Sequence, residues 1–235
     1  MLLELRLQLE RRLAQPLPGN AAHALMAHEE RRKFFREQVI PEDAKISSVL
    51  FLLYVQDDAV HFPLIIRSSD GTVHSGQVGL PGGRYEEQDK ALSTTAMRET
   101  EEEIGVPQHQ IELLGKLTPI YIPPSNFMVH PFIGMLTGTA IFSHDTKEVE
   151  RIIPFALQDL LNQPLRVEKE VTLTSGRTLI TPAFVHHGVT IWGATAMILA
   201  EFMAVMSRCA ALGETPPASI CPIALYSNRK PHCRC

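Results

Sequence analysis

The chain has 235 residues, with 22 Lys and Arg against 26 Asp and Glu, which gives a formal net charge of −4. Non-specific nucleic-acid and anionic-membrane surfaces normally need an excess of basic residues, so this balance argues against both kinds of partner. Hydrophobic residues make up 45% and charged residues 20% of the chain, which excludes a disordered protein and predicts one large domain with its own core.

The first residues predict an N-terminal helix. Leu2, Leu5, Leu9 and Leu13 recur at helical spacing and Pro16 follows, so we expect a helix over residues 1–15. This leucine stripe would either pack on the chain's own sheet or hold a homodimer together. Charges interrupt the segment and leave no apolar stretch for a signal peptide.

A second helical pattern covers residues 21–38 and contains the charge run Glu29-Glu30-Arg31-Arg32-Lys33. The run is typical of a solvated helix face with intrahelical ion pairs, and a basic clamp for an anionic ligand is the alternative. We expect residues 1–40 to form a helical extension in front of a domain over residues 41–210.

Short apolar runs begin at residue 46 and predict strands separated by Asp57-Asp58 and Asp70-Gly71. A helix is expected next, then two more strands, a short helix, a hairpin and a long closing helix. Their predicted ranges are 89–104, 111–122, 127–142, 155–161, 166–173 with 177–185, and 192–209. This order predicts a mixed sheet sandwiched between helices.

The closing segment from Val189 to Met206 is about long enough to cross a membrane. It contains Glu201 and several small residues, so a buried helix is the better interpretation, with apolar side chains that suit core packing rather than a cofactor site. Those side chains are Trp192, Met197, Phe202 and Met206.

Residues 211–235 are rich in proline and polar residues, which predicts a poorly packed tail. The four cysteines come late, with none before Cys209, so we expect a reducing compartment, the cytoplasm. Cys221, His232, Cys233 and Cys235 could in principle bind Zn²⁺, but they lack the paired spacing of such sites.

The segment over residues 79–106 contains the residues that indicate chemistry. Pro81-Gly82-Gly83 predicts a tight turn where the backbone can approach a ligand closely. Asp89 would cap the following helix and Gly105 would end it.

Carboxylates cluster at the C-terminal end of this helix, where the helix dipole disfavours them. Glu99, Glu102 and Glu103 stand at i, i+3 and i+4 and therefore share one face, whereas Glu101 points elsewhere. A hard divalent cation such as Mg²⁺ or Mn²⁺ would offset their repulsion and bridge to phosphate oxygens. Arg98 could orient one carboxylate through a bidentate contact. A merely acidic surface is the alternative.

These residues resemble the Nudix box, which reads G, five residues, E, seven residues, R-E, apolar, any, E-E, any, G, apolar. The matching positions are Gly83, Asp89, Arg98-Glu99, Glu102-Glu103, Gly105 and Val106. Three departures are visible, since Asp89 replaces the first Glu, eight residues separate it from Arg98, and Thr100 takes the apolar position. The resemblance implies an α/β (α+β) fold of the Nudix type, in which helices sandwich a mixed sheet, here with an added N-terminal helix.

One branch of that family, the coenzyme A pyrophosphatases, is also similar. Arg67, Ser68, Gly76 and Pro81-Gly82-Gly83 match its upstream signature, while Thr72 replaces a second Arg and Leu80 replaces Phe. Segments near residues 17–27, 122–134 and 191–199 also resemble this branch.

The resemblance implies hydrolysis of a nucleoside diphosphate derivative in the presence of Mg²⁺ or Mn²⁺. Glu99, Glu102 and Glu103 would be metal ligands, together with the Gly82 carbonyl, and Arg98 would assist. In this family a box Glu or a Glu on a later loop deprotonates the water, so Glu99, Glu103 and Glu148 are the catalytic candidates. Glu148 could instead simply pair within its loop.

Candidate substrate contacts lie around the glycine turn. Arg67 could grip phosphate oxygens or form a surface ion pair, and Ser68, Gln77, Gly82 and Gly83 would line the site. His74 is a weaker candidate. Pro123 to Asn126 would form a loop at the mouth, with Phe127 either stacking on the substrate or lying in the core.

The leading hypothesis is a pyrophosphohydrolase that splits coenzyme A into 3′,5′-ADP and 4′-phosphopantetheine. A Nudix hydrolase acting on ADP-ribose, NADH or a nucleoside triphosphate is the enzyme alternative, which Thr72 keeps open. A non-catalytic module that binds a nucleotide or a coenzyme A derivative is the third. The expected partner is a small-molecule nucleotide, with no nucleic acid, no membrane and a possible homodimer.

Overall fold

The computed structural model describes residues 2–35, 39–68, 75–164, 167–174 and 176–211, with side chains through residue 207. Its helices are α1 (Leu2–Leu13), α2 (Asn20–His23), α3 (Glu29–Phe34), α4 (Leu92–Ile104), α5 (Leu157–Leu161) and α6 (Gly193–Ala211). Short 3-10 turns occupy Gln108–Gln110 and Pro123–Ser125. Several predictions fall outside the described residues: the Asp70-Gly71 turn, Thr72, His74, Ser175, and the tail with its Cys and His residues.

The strands are β1 (Lys45–Gln56), β2 (Ala59–Arg67), β3 (Val78–Gly79), β4 (Gly82–Arg84), β5 (Ile111–Lys116), β6 (Ile120–Ile122), β7 (Phe127–Leu136), β8 (Val149–Ala156), β9 (Val167–Thr172), β10 (Thr178–His186) and β11 (Val189–Trp192). Among the described residues they form a sheet of eight strands and a sheet of three, β11-β10-β9. The large sheet is mixed, because β1 pairs with β7 in parallel and with β2 and β4 antiparallel. The mixed sheet and helices that the sequence predicted are therefore confirmed.

Some predicted boundaries were wrong. The helix expected over 21–38 is interrupted after His23, and a new helix begins at Glu29, where the His28 ring accepts a hydrogen bond from the backbone N–H of Arg31. The strand expected over 111–122 is divided into β5 and β6. Strands β8 and β11 were missed, because the predicted short helix began at Phe155 and the segment from Val189 was interpreted as part of the buried closing helix.

Strand β1 separates two cores because its side chains alternate between faces. Leu50, Leu52 and Tyr54 pack on the α4 side, whereas Phe51 and Leu53 pack on the side that carries α1 and α6. All five are at most 1% exposed. A central strand buried on both faces explains the continuous apolar run in the sequence.

The N-terminal helix packs on its own chain. Leu5 and Leu9 are fully buried in the main core, and Leu2 and Leu13 pack against that core. The leucine stripe is therefore occupied within the chain, while Leu3 and Leu7 are exposed. This corrects the alternative in which the stripe itself forms a dimer interface.

Helix α6 is joined to the N-terminal segment through Glu201, which is completely buried. Its carboxylate accepts hydrogen bonds from the Gly19 N–H at 2.9 Å and from the Thr118 N–H and hydroxyl at 3.1 and 2.6 Å. His23 Nε2 lies 3.0 Å away. Among the described helices none is long and apolar enough to span a membrane.

Candidate active site

The glycine segment approaches its neighbour strand so closely that a side chain has no space. Gly82 pairs with Val49 at a φ of 151°, and a Cβ there would lie 2.3 Å from the Ser48 carbonyl oxygen. Side chains rarely adopt this φ, so both the conformation and the space require glycine. The predicted tight turn is wrong, because Gly82 begins the short strand β4, and the close approach of its backbone is to strand β1.

Helix α4 follows this strand and ends as predicted at Gly105, which has a φ of 74° and donates its N–H to the Glu101 carbonyl. The beginning differs from the prediction. Ala91 occupies the N-cap position without a side-chain cap. Asp89 lies just before the helix, with its carboxylate turned toward the side chains of Thr95 and Arg98. Asp89 is therefore an anchor for Arg98 rather than the cap.

Arg98 organises the acidic end of the site. Its Nε and Nη2 each donate to Asp89 at 3.0 Å, and Nη1 contacts Glu99 and Glu102 at 3.0 and 2.8 Å. The Arg98 hydrogen bonds lower the pKa of Asp89 to about 2 despite partial opposition from burial. Both ends of this bidentate contact remain charged at neutral pH. The predicted bidentate contact is thus made with Asp89, while Glu99 and Glu102 share Nη1.

Glu103 lies deepest of the carboxylates and is 1% exposed. It accepts a hydrogen bond from the Gly82 N–H at 2.7 Å and lies 3.4 Å from Arg67 Nη1. Burial raises its pKa to about 7, with smaller contributions from the negative charges of Glu99 and Glu148, while Arg67 opposes the shift. Burial also raises the pKa of Glu99, and Arg98 opposes it.

The three box carboxylates do not all face the same space. Glu99 and Glu103 line the large pocket, whereas Glu102 is half exposed and lies outside the lining. Glu102 is nevertheless adjacent to Glu99 because both contact Arg98 Nη1. Glu101 accepts a hydrogen bond from Gln108 away from the site, as predicted.

Two residues from other elements complete this end of the pocket. Glu148, in the loop before β8, also lines it. Arg67 enters from the end of β2, where a register shift between Ile66 and Arg67 displaces the strand. Its Nη2 donates to the Gly82 carbonyl at 2.6 Å. Arg67 is thus bonded to the glycine strand and to Glu103, rather than to a surface partner.

The pocket has a volume of about 1030 Å³ and continues from the carboxylates into a largely apolar region. The predicted substrate contacts Ser68, Gln77, Gly82, Gly83 and Phe127 all line it, as do Pro123 to Ser125. Trp192 and Met197, which we had assigned to the core, also reach this wall. Phe202 and Met206 are buried core residues as predicted.

The donor set fits a hard divalent cation. Glu99, Glu103 and Glu148 present only oxygen donors, and their charges raise the pKa of Glu103, which is the repulsion a cation would relieve. Within the described ranges, no three such side chains are already gathered in metal-ligand geometry. Arg67 contacts Glu103 and Arg98 contacts Glu99, so each of these two carboxylates is already paired with an arginine.

A family comparison matches the NUDIX domain over residues 45–174, more than half of the chain. The chain belongs to the Nudix family. The match begins with β1 and ends after β9, so it contains the whole Nudix box and Glu148. Nudix enzymes generally use divalent metal ions such as Mg²⁺ or Mn²⁺.

Among its relatives, the chain is 34% identical over 190 residues to Nudix hydrolase 15, mitochondrial, of Arabidopsis thaliana, covering 77% of this chain and 64% of that protein. It is 36% identical over 99 residues to an uncharacterized Nudix hydrolase NudL of Yersinia enterocolitica, covering 42% of this chain and 50% of that protein. The chain thus spans about half to two thirds of the length of these two curated relatives.

Among solved structures, a MutT/nudix family protein from Enterococcus faecalis superposes with a TM-score of 0.48 at 19% sequence identity. The alignment covers 82% of this chain and 73% of that one.

Arg31, Arg84 and Lys147 line the pocket, although none of them was among the predicted site residues. Arg31 lies in the charge run, for which a basic clamp for an anionic ligand was the alternative and a solvated helix face was the preferred interpretation. That interpretation holds for Glu29 and Lys33, which are exposed and 3.4 Å apart, but Arg31 is buried. The aromatic residues Phe34 and Phe35 just after the run were the available signal, since they bury this helix face.

Proposed function

We propose that this member of the Nudix family is a hydrolase, a divalent-metal-dependent pyrophosphohydrolase that cleaves coenzyme A or an acyl-CoA and gives 3′,5′-ADP and 4′-phosphopantetheine or its acyl form. The supporting observation is a pocket of about 1030 Å³ whose lining combines the carboxylates of Glu99, Glu103 and Glu148 with a mostly apolar wall. A long ligand with a phosphoanhydride and an extended, mostly uncharged arm matches this distribution.

Glu99, Glu102 and Glu103 are the proposed metal ligands, with the Gly82 carbonyl as a further oxygen donor. Mg²⁺ or Mn²⁺ bound there would neutralise the pyrophosphate and lower the pKa of a water molecule. Arg98 orients Glu99 and Glu102, and Arg67 at present contacts both Gly82 and Glu103.

Glu99 and Glu148 are the proposed candidates for the general base, with Glu103 as the remaining catalytic carboxylate. Burial raises the pKa of Glu99, which brings it closer to the value that suits proton transfer at neutral pH. Glu148 lies on a separate loop and lines the same pocket. Either carboxylate would accept the proton of the attacking water, with the phosphoanhydride oxygen as the leaving group.

Arg67 would bind phosphate oxygens beside the glycine strand, and Ser68, Gln77 and Gly83 would line this subsite. Phe127 lies further along the wall, in contact with the core and within the pocket lining, so both interpretations of this side chain apply. Its ring would cover the base or the pantetheine arm.

The choice of coenzyme A depends on the match of Arg67, Ser68, Gly76 and Pro81-Gly82-Gly83 to the coenzyme A branch. Thr72 departs from that signature, so another nucleoside diphosphate derivative is the competing substrate. We further propose residues 41–210 as the catalytic domain and residues 1–40 as its extension. A cytoplasmic location and a homodimer stay predictions.

The test is product analysis by chromatography and mass spectrometry after incubation with coenzyme A, ADP-ribose, NADH or dGTP. Each substrate is combined with Mg²⁺, Mn²⁺ or EDTA, and Glu103→Gln and Glu101→Gln variants are run in parallel. Metal-dependent release of 3′,5′-ADP from coenzyme A alone, lost in Glu103→Gln and kept in Glu101→Gln, is the expected result.

Turnover of a different substrate would overturn the coenzyme A assignment and keep the hydrolase chemistry. If no substrate is cleaved but coenzyme A binds in EDTA, the chain is a binding module instead.

A further inference from the structure

The pocket has a second polar feature on α3, where Arg31 lines it beside Glu30. Arg31, on α3, lines the pocket and is 8% exposed. Its Nη2 donates to the Tyr121 carbonyl, and its Cζ lies 4.9 Å from the Phe34 ring centroid and 5.0 Å from that of Phe35. Its Nη1 is buried with no hydrogen-bond partner among the described residues.

Arg31 also has no carboxylate partner in the part of the chain that the structure describes. The other two buried or half-buried arginines of the pocket region do, since Arg67 pairs with Glu103 and Arg98 pairs with Asp89. Burial lowers the pKa of Arg31 to about 10, so its guanidinium is still charged at neutral pH.

A buried charge without a counter-ion opposes folding. The two aromatic rings pack against Arg31 and partly stabilise its positive charge. They leave the Nη1 donor without a hydrogen-bond acceptor. A ligand that brings an oxyanion into the pocket would satisfy that donor and the charge together.

The sheet separates this position from the cleavage site. Across the sheet, Tyr121 pairs with Met128 on β7, Met128 with Ile46 on β1, and the neighbouring Ser47 with Arg84 on β4. Strand β6 is thus three strand spacings from β4, on the order of 14 Å. One phosphoanhydride cannot contact the glycine strand and Arg31 at once, so the anion at Arg31 must be a different group of the ligand.

We propose that Arg31 binds a second oxyanion of the substrate, a phosphate monoester or a carboxylate, at the end of the pocket away from the cleaved bond. This inference rests on the proposed function, because the substrates used to test it are derivatives of coenzyme A. In a coenzyme A ligand the oxyanion has two possible sources, the 3′-phosphate or the carboxylate of a dicarboxylic acyl group.

The experiment compares wild type, Arg31→Gln and Arg31→Lys on two matched substrate pairs. Coenzyme A is compared with 3′-dephospho-coenzyme A, and succinyl-CoA with butyryl-CoA. The source is the 3′-phosphate if Arg31→Gln lowers kcat/KM for coenzyme A, mainly through KM, by at least about tenfold and leaves 3′-dephospho-coenzyme A unchanged. The same selective loss for succinyl-CoA against butyryl-CoA identifies the carboxylate.

If the positive charge is what binds the oxyanion, Arg31→Lys should keep part of the kcat/KM that Arg31→Gln loses for the substrate that carries the oxyanion. Arg177→Gln is the control. Arg177 is exposed and lies 3.5 Å from Glu30, which is on the same helix as Arg31, but Arg177 itself is not in the pocket lining. If Arg31→Gln changes both members of each pair equally, Arg31 is a packing residue and the inference is overturned.

A binding measurement keeps the inference separate from the proposed function. Thermal unfolding is followed with increasing inorganic phosphate in EDTA, in which no turnover is needed. Phosphate should raise the Tm of wild type and Arg177→Gln more than that of Arg31→Gln. If coenzyme A is not cleaved but this difference is present, the proposed function fails and the oxyanion site stands. Equal Tm shifts in all three proteins would overturn the site.

Discussion

Gly83 leaves the space in which the Glu99 carboxylate lies. A Cβ added to Gly83 would lie 2.3 Å from both Cδ and Oε2 of Glu99, closer than any real contact. Gly83 pairs with Ser48 of the central strand β1, so its backbone cannot easily move away. The glycine strand therefore determines where the first carboxylate of the site can be.

Gly83→Ala should reduce kcat by on the order of 100-fold, because displacing a catalytic carboxylate by about 1 Å has this effect. The fold should survive, since the clash is with the end of a side chain rather than with backbone. Steady-state kinetics with saturating Mg²⁺, together with thermal unfolding, would measure both effects. Gly138→Ala is the control, because its Cβ would approach only the Gln110 side chain, at 3.4 Å. Equal activity in both variants would show that Glu99 adapts freely.

Glu103→Gln and Glu99→Gln should each lower kcat by at least about 100-fold, because each removes a proposed metal ligand. Mn²⁺ should raise the Tm of wild type and of Glu101→Gln. The rise should be smaller in Glu103→Gln and in Glu99→Gln. Glu101 is on the same helix but faces away from the pocket, so it controls for helix charge. Persistence of the Mn²⁺ shift in Glu103→Gln would move the metal site elsewhere.

Glu102→Gln distinguishes the exposed carboxylate from its two neighbours. We expect turnover to be lost here as well, because Glu102 is a proposed metal ligand and shares Arg98 Nη1 with Glu99. Near wild-type activity at saturating Mg²⁺ would leave Glu102 as a surface partner of Arg98.

Asp89→Asn should destabilise the protein by about 1–3 kcal/mol at pH 7, the usual range for hydrogen bonds to a charged group. The pKa of Asp89 is about 2 when folded, against an ordinary value of 3.8. Because the pKa of Asp89 is lower in the folded state, its charged form stabilises the folded protein at pH values above 3.8. This stabilisation is lost as the pH falls through about 2. Urea unfolding of wild type and variant should therefore converge between pH 4 and pH 2.

Asp159→Asn is the matched control for this titration, because Asp159 is exposed on α5. A constant difference between wild type and Asp89→Asn across that pH range would contradict the Arg98 contact as the cause.

Glu201→Gln should lower the free energy of unfolding by about 2–4 kcal/mol, since an amide nitrogen would face a ring of hydrogen-bond donors in a buried site. Burial disfavours the charged form, but the hydrogen bonds from His23, Thr118 and Gly19 prevail and lower the pKa of Glu201. Urea unfolding at pH 7 is the measurement, with exposed Glu170→Gln as control. A change below about 0.5 kcal/mol would mean that the N-terminal segment is joined to α6 by apolar packing alone.

Local sequence patterns predicted the elements whose signals are local. The apolar run of β1, the glycine end of α4 and the long α6 were all placed within a few residues. Asp89 was misassigned because an Asp in front of a helix can cap the helix or contact one of its side chains. Its actual partner, Arg98, is nine positions away. Strand β8 was missed because it contains the exposed Glu150 and a proline and depends on pairing with β2.

The sequence by itself determined the chemistry of one helix face. Carboxylates at i, i+3 and i+4 after a glycine segment resemble the Nudix box, and helix periodicity alone places them near one another. Only the tertiary structure decided which carboxylates face the pocket, that Arg67 binds the Gly82 carbonyl, and that Arg31 is buried beside Tyr121. These contacts join residues far apart in the chain, and their burial depends on how α3, α6 and the sheet pack, which no local pattern encodes.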